Sequence, residues 1–334
     1  MQLEHSEHHF RSSEGTLTEE ATTWCRSQVP DLGFVGEALQ PTNSRPHLPA
    51  RECGVLNESD EWRQRVESRF NGKVAFITGV ARGQGRNHAL AIAREGGNII
   101  GIDLPAAYTS LDYPIATIED LDACVDAVEA AGGRMVAAAA DVRDPSAIAD
   151  VLRLGVEEFG RLDIVCANAG ICTAQSWEEV TPELWQETID TNLTGVWNTF
   201  AAAIPHLLAG GGGAMIATSS TAGVKGLPFF TPYVAAKHGV TGIVRSLANE
   251  LAHAKIRVNA VLPTGVATTM TMGLGKLGPL LAERPELGAL FQNALPVPVV
   301  DLDDVTEAVL YLASDAARYV TGMELTVNAG ATIR

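Results

Sequence analysis

KVAFITGVARGQGRNHALAIAREGG, residues 73–97, passes from a short β-branched apolar run (73–79) through a glycine-rich turn into a segment with helical spacing (87–97). A strand that meets a helix across so short a turn leaves the helix N–H groups and the positive end of its dipole facing that turn, where a phosphate can be held. In TGVARGQG (78–85), Gly79, Gly83 and Gly85 allow a tight turn and a close backbone approach to a pyrophosphate. A glycine triplet alone is a weak signal. Here a strand precedes it, a helix follows, and the next apolar run, NIIGID (98–103), ends on Asp103 about 20 residues on, where a carboxylate hydrogen-bonds adenosine ribose hydroxyls. The pattern predicts a dinucleotide site. Asp103 would repel a 2′-phosphate, so NAD is expected rather than NADP; Arg82 could pair with such a phosphate but is equally explained as a solvated loop residue.

Working outward, further strands are expected at RMVAAAAD (134–141), LDIVCANAG (162–170), GGAMIATSS (212–220), IRVNAVLP (256–263) and ELTVNAG (324–330). Helical segments separate nearly all of them. That alternation predicts an α/β fold: a doubly wound, mostly parallel seven-stranded sheet with helices on both faces, forming a single domain over 71–334. Residues 1–70 lack sustained periodicity and hold four of the eight histidines (His5, His8, His9, His47) and Pro30, Pro41, Pro46 and Pro49. A poorly ordered N-terminal extension is expected there, or a start codon placed too far upstream. The histidines lack a partner cluster, so no metal site is expected.

The net charge of −16 argues against nucleic-acid or anionic-membrane partners, both of which call for a basic surface. A small-molecule function is expected. No apolar run approaches the roughly 20 residues of a membrane span. The first residues, MQLEHSEHHFRSSEG, are polar where a signal peptide would be apolar, so a cytoplasmic protein is expected. The five cysteines (Cys25, Cys53, Cys124, Cys166, Cys172) form no CxxC and suggest reduced thiols.

YVAAK (233–237) sets Tyr233 and Lys237 four apart on one helix face, where an ammonium can lower a phenol pKa from about 10 towards neutrality. Such spacing is common by chance. Its weight comes from TSSTAG (218–223), which leaves a strand a short way upstream and offers hydroxyls at the carboxyl edge of the sheet, where ligands bind.

Together these residues resemble the short-chain dehydrogenase/reductase family over essentially all of 71–334. The family's TGxxxGxG turn appears as TGVARGQG, with Gln84 where isoleucine is usual, and its NAG segment as Asn168-Ala169-Gly170. Its Asp-Val adenine contact matches Asp141-Val142, and Leu104 follows the ribose acid. Its catalytic asparagine matches Asn192 in DTNLTG, its serine matches Ser220, and its YxxxK matches Tyr233 and Lys237. The usual Pro-Gly after the sixth strand is altered to Pro263-Thr264-Gly265, with Val266 and Thr268 as the nicotinamide-side contacts. The resemblance implies a Rossmann-type fold and hydride transfer with NAD, without a metal. Tyr233 would be the general acid/base, Ser220 would bond the substrate oxygen, Lys237 would tune Tyr233 and hold the ribose, and Asn192 would anchor a proton-relaying water. Each has a plainer alternative: Ser220 as a cap, Asn192 as a backbone partner, Lys237 as a surface lysine.

After Asp103 the chain departs from the family's length. DLPAAYTSLDYPIATIEDL (103–121) holds Leu104, Pro105, Tyr108, Leu111, Tyr113 and Pro114, too many rigid or apolar residues for a solvated loop, before a helix expected over 117–133 and capped by Thr117 with Asp120. The 104–116 insertion could fold over the adenosine half of the cofactor, or pack on a neighbouring helix or subunit. With GVARGQGRNHA, PTGVATTM and ARYVTGMELTVNAG it resembles the mycofactocin-coupled, carveol-dehydrogenase-like subgroup, which implies tightly held NAD re-oxidised by mycofactocin; that subgroup commonly has asparagine where Gly265 stands. Residues 269–300 lie where the family places its substrate lid. Their Met and Leu content suits an apolar secondary alcohol, terpenoid or alicyclic, or else packing of the lid on its own core. The resemblance also implies a homotetramer or homodimer. Two other readings stay open: an ordinary NAD-dependent alcohol dehydrogenase or 3-oxoacyl reductase with exchangeable cofactor, and a non-catalytic NAD-binding sensor, which the intact Ser220, Tyr233 and Lys237 argue against.

Overall fold

Seven strands, β1 (Val74–Thr78), β2 (Asn98–Asp103), β3 (Met135–Ala139), β4 (Ile164–Ala167), β5 (Gly213–Thr218), β6 (Ile256–Pro263) and β7 (Glu324–Val327), form one parallel sheet in the order β3-β2-β1-β4-β5-β6-β7. The computed structural model describes residues 68–105, 108 and 110–334. The expectation of a poorly ordered 1–70 therefore falls outside the described residues except for 68–70, where Phe70 is buried in the core. The expected doubly wound sheet with helices on both faces is present.

The strands are apolar along their length because both faces are covered. In β1 all five residues are buried, and alternate side chains enter different cores: Phe76 packs with Ile100, Val165 and Phe200, Ile77 with Ile92, Ile99 and Leu310. The covering helices are α1 (Gly83–Arg94), α2 (Ile118–Ala130), α3 (Pro145–Phe159), α4 (Pro182–Ile189), α5 (Gly195–Ala209), α6 (Thr231–Leu251), α7 (Thr269–Met272), α8 (Leu277–Glu283) and α9 (Leu302–Ala313). A five-residue π-helical turn, Asp190–Thr194, joins α4 to α5. Chain order reverses between β1 and β4, so the loops leaving their carboxyl ends diverge and open a crevice there.

Several boundaries differ from the sequence expectation for local reasons. The run 162–170 stops being a strand at Ala167 because the Asn168 and Ala169 N–H groups turn to Thr78 Oγ1, at 3.0 and 3.1 Å. The run 324–330 ends at Val327, where Asn328 Oδ1 accepts the Gly330 N–H and residues 329 and 330 take positive φ. Thr117 and Asp120 form the expected capping box, and α2 ends before Gly132, whose φ of 96° stops it. Among the described residues no helix is long and apolar enough to cross a membrane.

Candidate active site

The glycine turn forms the floor of a cleft at the crevice. Gly79 has φ 68°, and a Cβ there would lie 2.9 Å from Ala169 Cα; a Cβ at Gly85 would lie 2.0 Å from the Gly79 carbonyl oxygen. Glycine is thus required for the turn and for seating α1 against it. Gly79, Arg82, Gly83, Gln84, Asp103, Leu104, Val142, Asn168, Ala169, Gly170 and Thr268 all line this cleft, whereas Gly85 lies buried beneath it. Asp103 ends β2 with each oxygen accepting a backbone N–H, from Ala81 and Leu104 at 2.8 Å. Burial lifts its carboxyl above the ordinary value against the pull of those donors. Asp141 is not brought into the cleft: its carboxylate is held by Arg143, 2.6 Å away, leaving Val142 as the lining residue of that pair.

Leu104, Tyr108, Tyr113, Ile115 and Ala116 line the cleft, and four described residues of this stretch are tied to its surroundings. Tyr108 Oη accepts from Thr191 Oγ1 at 3.4 Å with its ring under the Arg143 guanidinium, and Ser110 donates to Glu187. The Cys172 N–H donates to Tyr113 Oη at 3.1 Å, and Arg82 donates to the Pro114 carbonyl at 2.5 Å. Burial pushes the Tyr113 phenol up to about 12, so it stays neutral. The same segment touches residues 269–300: Lys276 pairs with Asp112 at 3.2 Å, and Tyr113 packs so closely on Gly273 that a Cβ there would lie 2.5 Å from it.

The cleft opens into a second cavity of about 280 Å³ whose wall contains Asn192, Ser220, Tyr233, Lys237, Val266 and Thr268. Ser220 leaves β5 and caps a short 3-10 turn, accepting from the Ala222 N–H at 3.2 Å. Tyr233 and Lys237 project from the first turns of α6, with Nζ 5.5 Å from the phenol ring centre. Lys237 is 2 % exposed and donates to the Thr218 carbonyl at 2.7 Å; burial holds it down to about 8. The structure departs here from the expected tuning. Burial raises the Tyr233 phenol, a hydrogen bond with Ser220 opposes that rise, and the Lys237 ammonium is aimed at the Thr218 carbonyl instead. Asn192 is wholly buried on the π-helical turn, its amide bonded to both main-chain groups of Ile171 at 2.9 Å. Gly170 makes this possible, since a Cβ there would meet Asn192 Oδ1 at 2.6 Å.

The cavity wall also carries a group of large apolar side chains. These are Leu227, Phe230, Met270, Leu274, Leu277 and Phe291, with the Phe230 and Phe291 ring centres 6.0 Å apart, set among hydroxyl-bearing residues such as Thr218, Thr221 and Thr264. Segment 269–300 packs as α7, α8 and a 3-10 stretch against Cys172, Ala174 and Phe230. Sequence reasoning missed Cys172, Thr191, Phe230 and the tying role of Tyr108 and Tyr113. Only the tyrosines gave a signal: polar-tipped aromatics set among prolines directly after the ribose acid.

Comparison with known proteins agrees with this geometry. Residues 79–332 match a family model described as enoyl-(acyl carrier protein) reductase. (−)-trans-Carveol dehydrogenase of Rhodococcus erythropolis is 44% identical over 277 residues, covering 80% of this chain and 100% of that protein. The crystal structure of carveol dehydrogenase from Mycobacterium avium in complex with NAD is similar at 46% identity and TM-score 0.76, over 80% of this chain and 100% of that one. That of a short chain dehydrogenase from Mycobacterium paratuberculosis bound to NAD is similar at 42% identity and TM-score 0.78, with the same coverage. With its glycine turn, serine, tyrosine and lysine in this order on this sheet, and with matches across nearly all of its described length, the chain belongs to the short-chain dehydrogenase/reductase family.

Proposed function

We propose that this chain interconverts an apolar secondary alcohol, terpenoid or alicyclic, with its ketone, and that it keeps its NAD between turnovers. One observation carries the reading: Ser220 and Tyr233 line a cavity that also holds Leu227, Phe230, Leu274 and Phe291 and that opens, past Gln84, Asn168 and Gly170, into a glycine-floored cleft ending at Asp103. The cleft fits NAD. The Asp103 oxygens keep lone pairs for a ribose diol and would repel a 2′-phosphate, while Gly79, Gly83 and Gly85 leave room for a pyrophosphate at the start of α1. When bound, NAD supplies the hydride acceptor or donor.

The chain's own residues supply the rest. Tyr233 Oη gives or takes the proton of the substrate oxygen, and Ser220 Oγ hydrogen-bonds that oxygen. Lys237 sets a positive charge beneath the pair, and Asn192 holds the Ile171 segment in place. Leu227, Phe230, Leu274 and Phe291 exclude water and favour a hydrocarbon substrate, in keeping with the carveol dehydrogenases this chain is similar to. Retention of NAD is supported by the ties of Tyr108, Ser110, Tyr113 and Pro114 around the cleft, and the resemblance to the mycofactocin-coupled subgroup suggests mycofactocin as the re-oxidant. Exposed Trp185, Trp197 and Leu208 on α4 and α5 support a homodimer or homotetramer, and the buried free thiols Cys124, Cys166 and Cys172 suit the cytoplasm.

Protein purified without added cofactor should release stoichiometric NAD on denaturation. It should then oxidise members of an alcohol panel with an artificial electron acceptor and no added NAD. Release of no NAD, with turnover only when NAD is supplied, would establish an exchanging dehydrogenase instead.

A further inference from the structure

The charge of the substrate cavity runs against that of the chain. The sequence holds 40 Asp and Glu against 24 Lys and Arg, yet among the described residues no carboxylate lines this cavity and two lysines do, Lys225 and Lys237. Lys237 is accounted for: it lies 2 % exposed near Tyr233 and donates to the Thr218 carbonyl at 2.7 Å. Lys225 is not. It follows the 3-10 turn Thr221–Gly223 that Ser220 caps, and its own N–H donates to the Thr221 carbonyl at 3.0 Å, which fixes it to the loop that carries the serine.

Lys225 Nζ donates to the Ala331 carbonyl at 2.8 Å, and Ala331 lines the same cavity. That bond uses one of its three N–H groups, and among the described residues Lys225 has no carboxylate partner. An ammonium half-buried in a wall shared with Leu227, Leu290 and Phe291 loses part of its hydration and gains no counter-ion in return. A neutral donor would hold the Ala331 carbonyl without that cost, and a purely hydrocarbon ligand offers the charge nothing. Positive charge kept there implies a negative charge that arrives with the ligand. One ammonium with two spare N–H groups matches a carboxylate, whereas a phosphate, with its higher charge, calls for a cluster of cations.

We propose that Lys225 receives a carboxylate carried by the substrate, so that the preferred alcohol is an alicyclic hydroxy acid. Its hydroxyl meets Ser220 and Tyr233, its ring lies against Leu227, Phe230 and Phe291, and its carboxylate pairs with Lys225. The inference rests on the proposed function and narrows its substrate class from any apolar secondary alcohol to one whose ring also bears an acid. The carboxylate is a handle only. Hydride leaves the carbinol carbon and the proton leaves its oxygen as before, and the product is an oxo acid with the carboxylate intact.

The test compares 3- and 4-hydroxycyclohexanecarboxylate with their methyl esters and with cyclohexanol, read as kcat/KM with the artificial electron acceptor and NAD present. The unmodified chain should prefer at least one acid over its ester by about tenfold, mainly through a lower KM, and the preference should shrink as salt is added. Lys225→Met, which keeps the length of the side chain and removes its charge, should bring acid and ester together by slowing the acid, while Lys225→Arg should retain the preference. Neutral compounds turned over by the unmodified chain as well as or better than both acids would overturn the proposal. So would a Lys225→Met protein that still prefers the acid, or one that loses acid, ester and cyclohexanol alike, since Lys225 would then only hold the Ala331 segment in place. If the unmodified chain oxidises none of these compounds, the proposed function itself fails, a result distinct from the others.

Discussion

The two ends of the crevice are held by different forces. Around the cleft that begins at Asp103, Tyr108, Ser110, Tyr113 and Pro114 are tied by directional bonds to Thr191, Glu187, Cys172 and Arg82, and the floor is backbone that tolerates no added Cβ at Gly79 or Gly85. Around the cavity that holds Tyr233, the large side chains of the wall include Leu227, Phe230, Met270, Leu274 and Phe291, and the Phe230–Phe291 contact is a tilted ring pair at 6.0 Å. Hydrogen bonds specify partner and angle, whereas apolar contact is non-directional and scales with area. The first end should accept one ligand and release it slowly; the second should accept a range of hydrocarbon shapes.

The strongest way to separate the ends is Tyr233→Phe, which removes the proton-exchanging hydroxyl and nothing from the cleft. Turnover of any alcohol should fall about a thousandfold in kcat/KM, while the NAD released on denaturation stays at the level of the unmodified protein. Loss of bound NAD in this variant would show that the two ends are not independent. The pH dependence sharpens the same division. Burial holds the Tyr233 phenol above its ordinary value, so it is protonated at neutral pH and ready to give a proton, whereas taking one draws on a phenolate fraction that grows about tenfold per pH unit. Alcohol oxidation should therefore climb with pH. Ketone reduction, which uses the neutral phenol above the Lys237 ammonium, should fall above about 8 as Lys237 loses its proton. Matching bells in the two directions would contradict this assignment.

Much of this was legible in the sequence because it is local. The strand–glycine turn–helix unit, Asp103 at a strand end, Tyr233 and Lys237 one helical turn apart, and the Thr117–Asp120 capping box all involve residues within a few positions of one another or at the end of one element. What was not legible depends on distant partners. Ser110 finds Glu187, Tyr108 finds Thr191 and Tyr113 finds Cys172 across separations of 77, 83 and 59 residues, distances over which no periodicity carries information. Asp141 has a partner that is only two residues away, yet its pairing with Arg143 is announced by no motif.

The seam between the ends offers the next largest effect. Gly273 lies under Tyr113, with space for no Cβ, so Gly273→Ala should force the ring away and with it the bond from the Cys172 N–H. Bound NAD should then exchange about tenfold faster, as judged by the rate at which labelled NAD enters the protein. Tyr113→Phe keeps the packing and loses only the hydroxyl, so it should produce a smaller acceleration. An unchanged rate in both would mean that residues 104–116 do not restrain the cofactor.

The ion pair across the same seam should matter least, and that contrast decides what kind of joint it is. Asp112 and Lys276 meet at 3.2 Å, but their side chains are 57% and 54% exposed, so water and salt screen the attraction and two mobile side chains must be ordered to make it. Tyr113, by comparison, is half-buried, burial pushes its phenol up to about 12, and it packs directly on Gly273 while accepting the Cys172 N–H. Asp112→Asn should therefore change the NAD exchange rate by less than about twofold, with little dependence on salt. If it instead matched Gly273→Ala, and the effect on the unmodified protein grew at low ionic strength, the seam would be an electrostatic latch, and its closure would follow the charge on Lys276 rather than the fit of Tyr113 against the backbone.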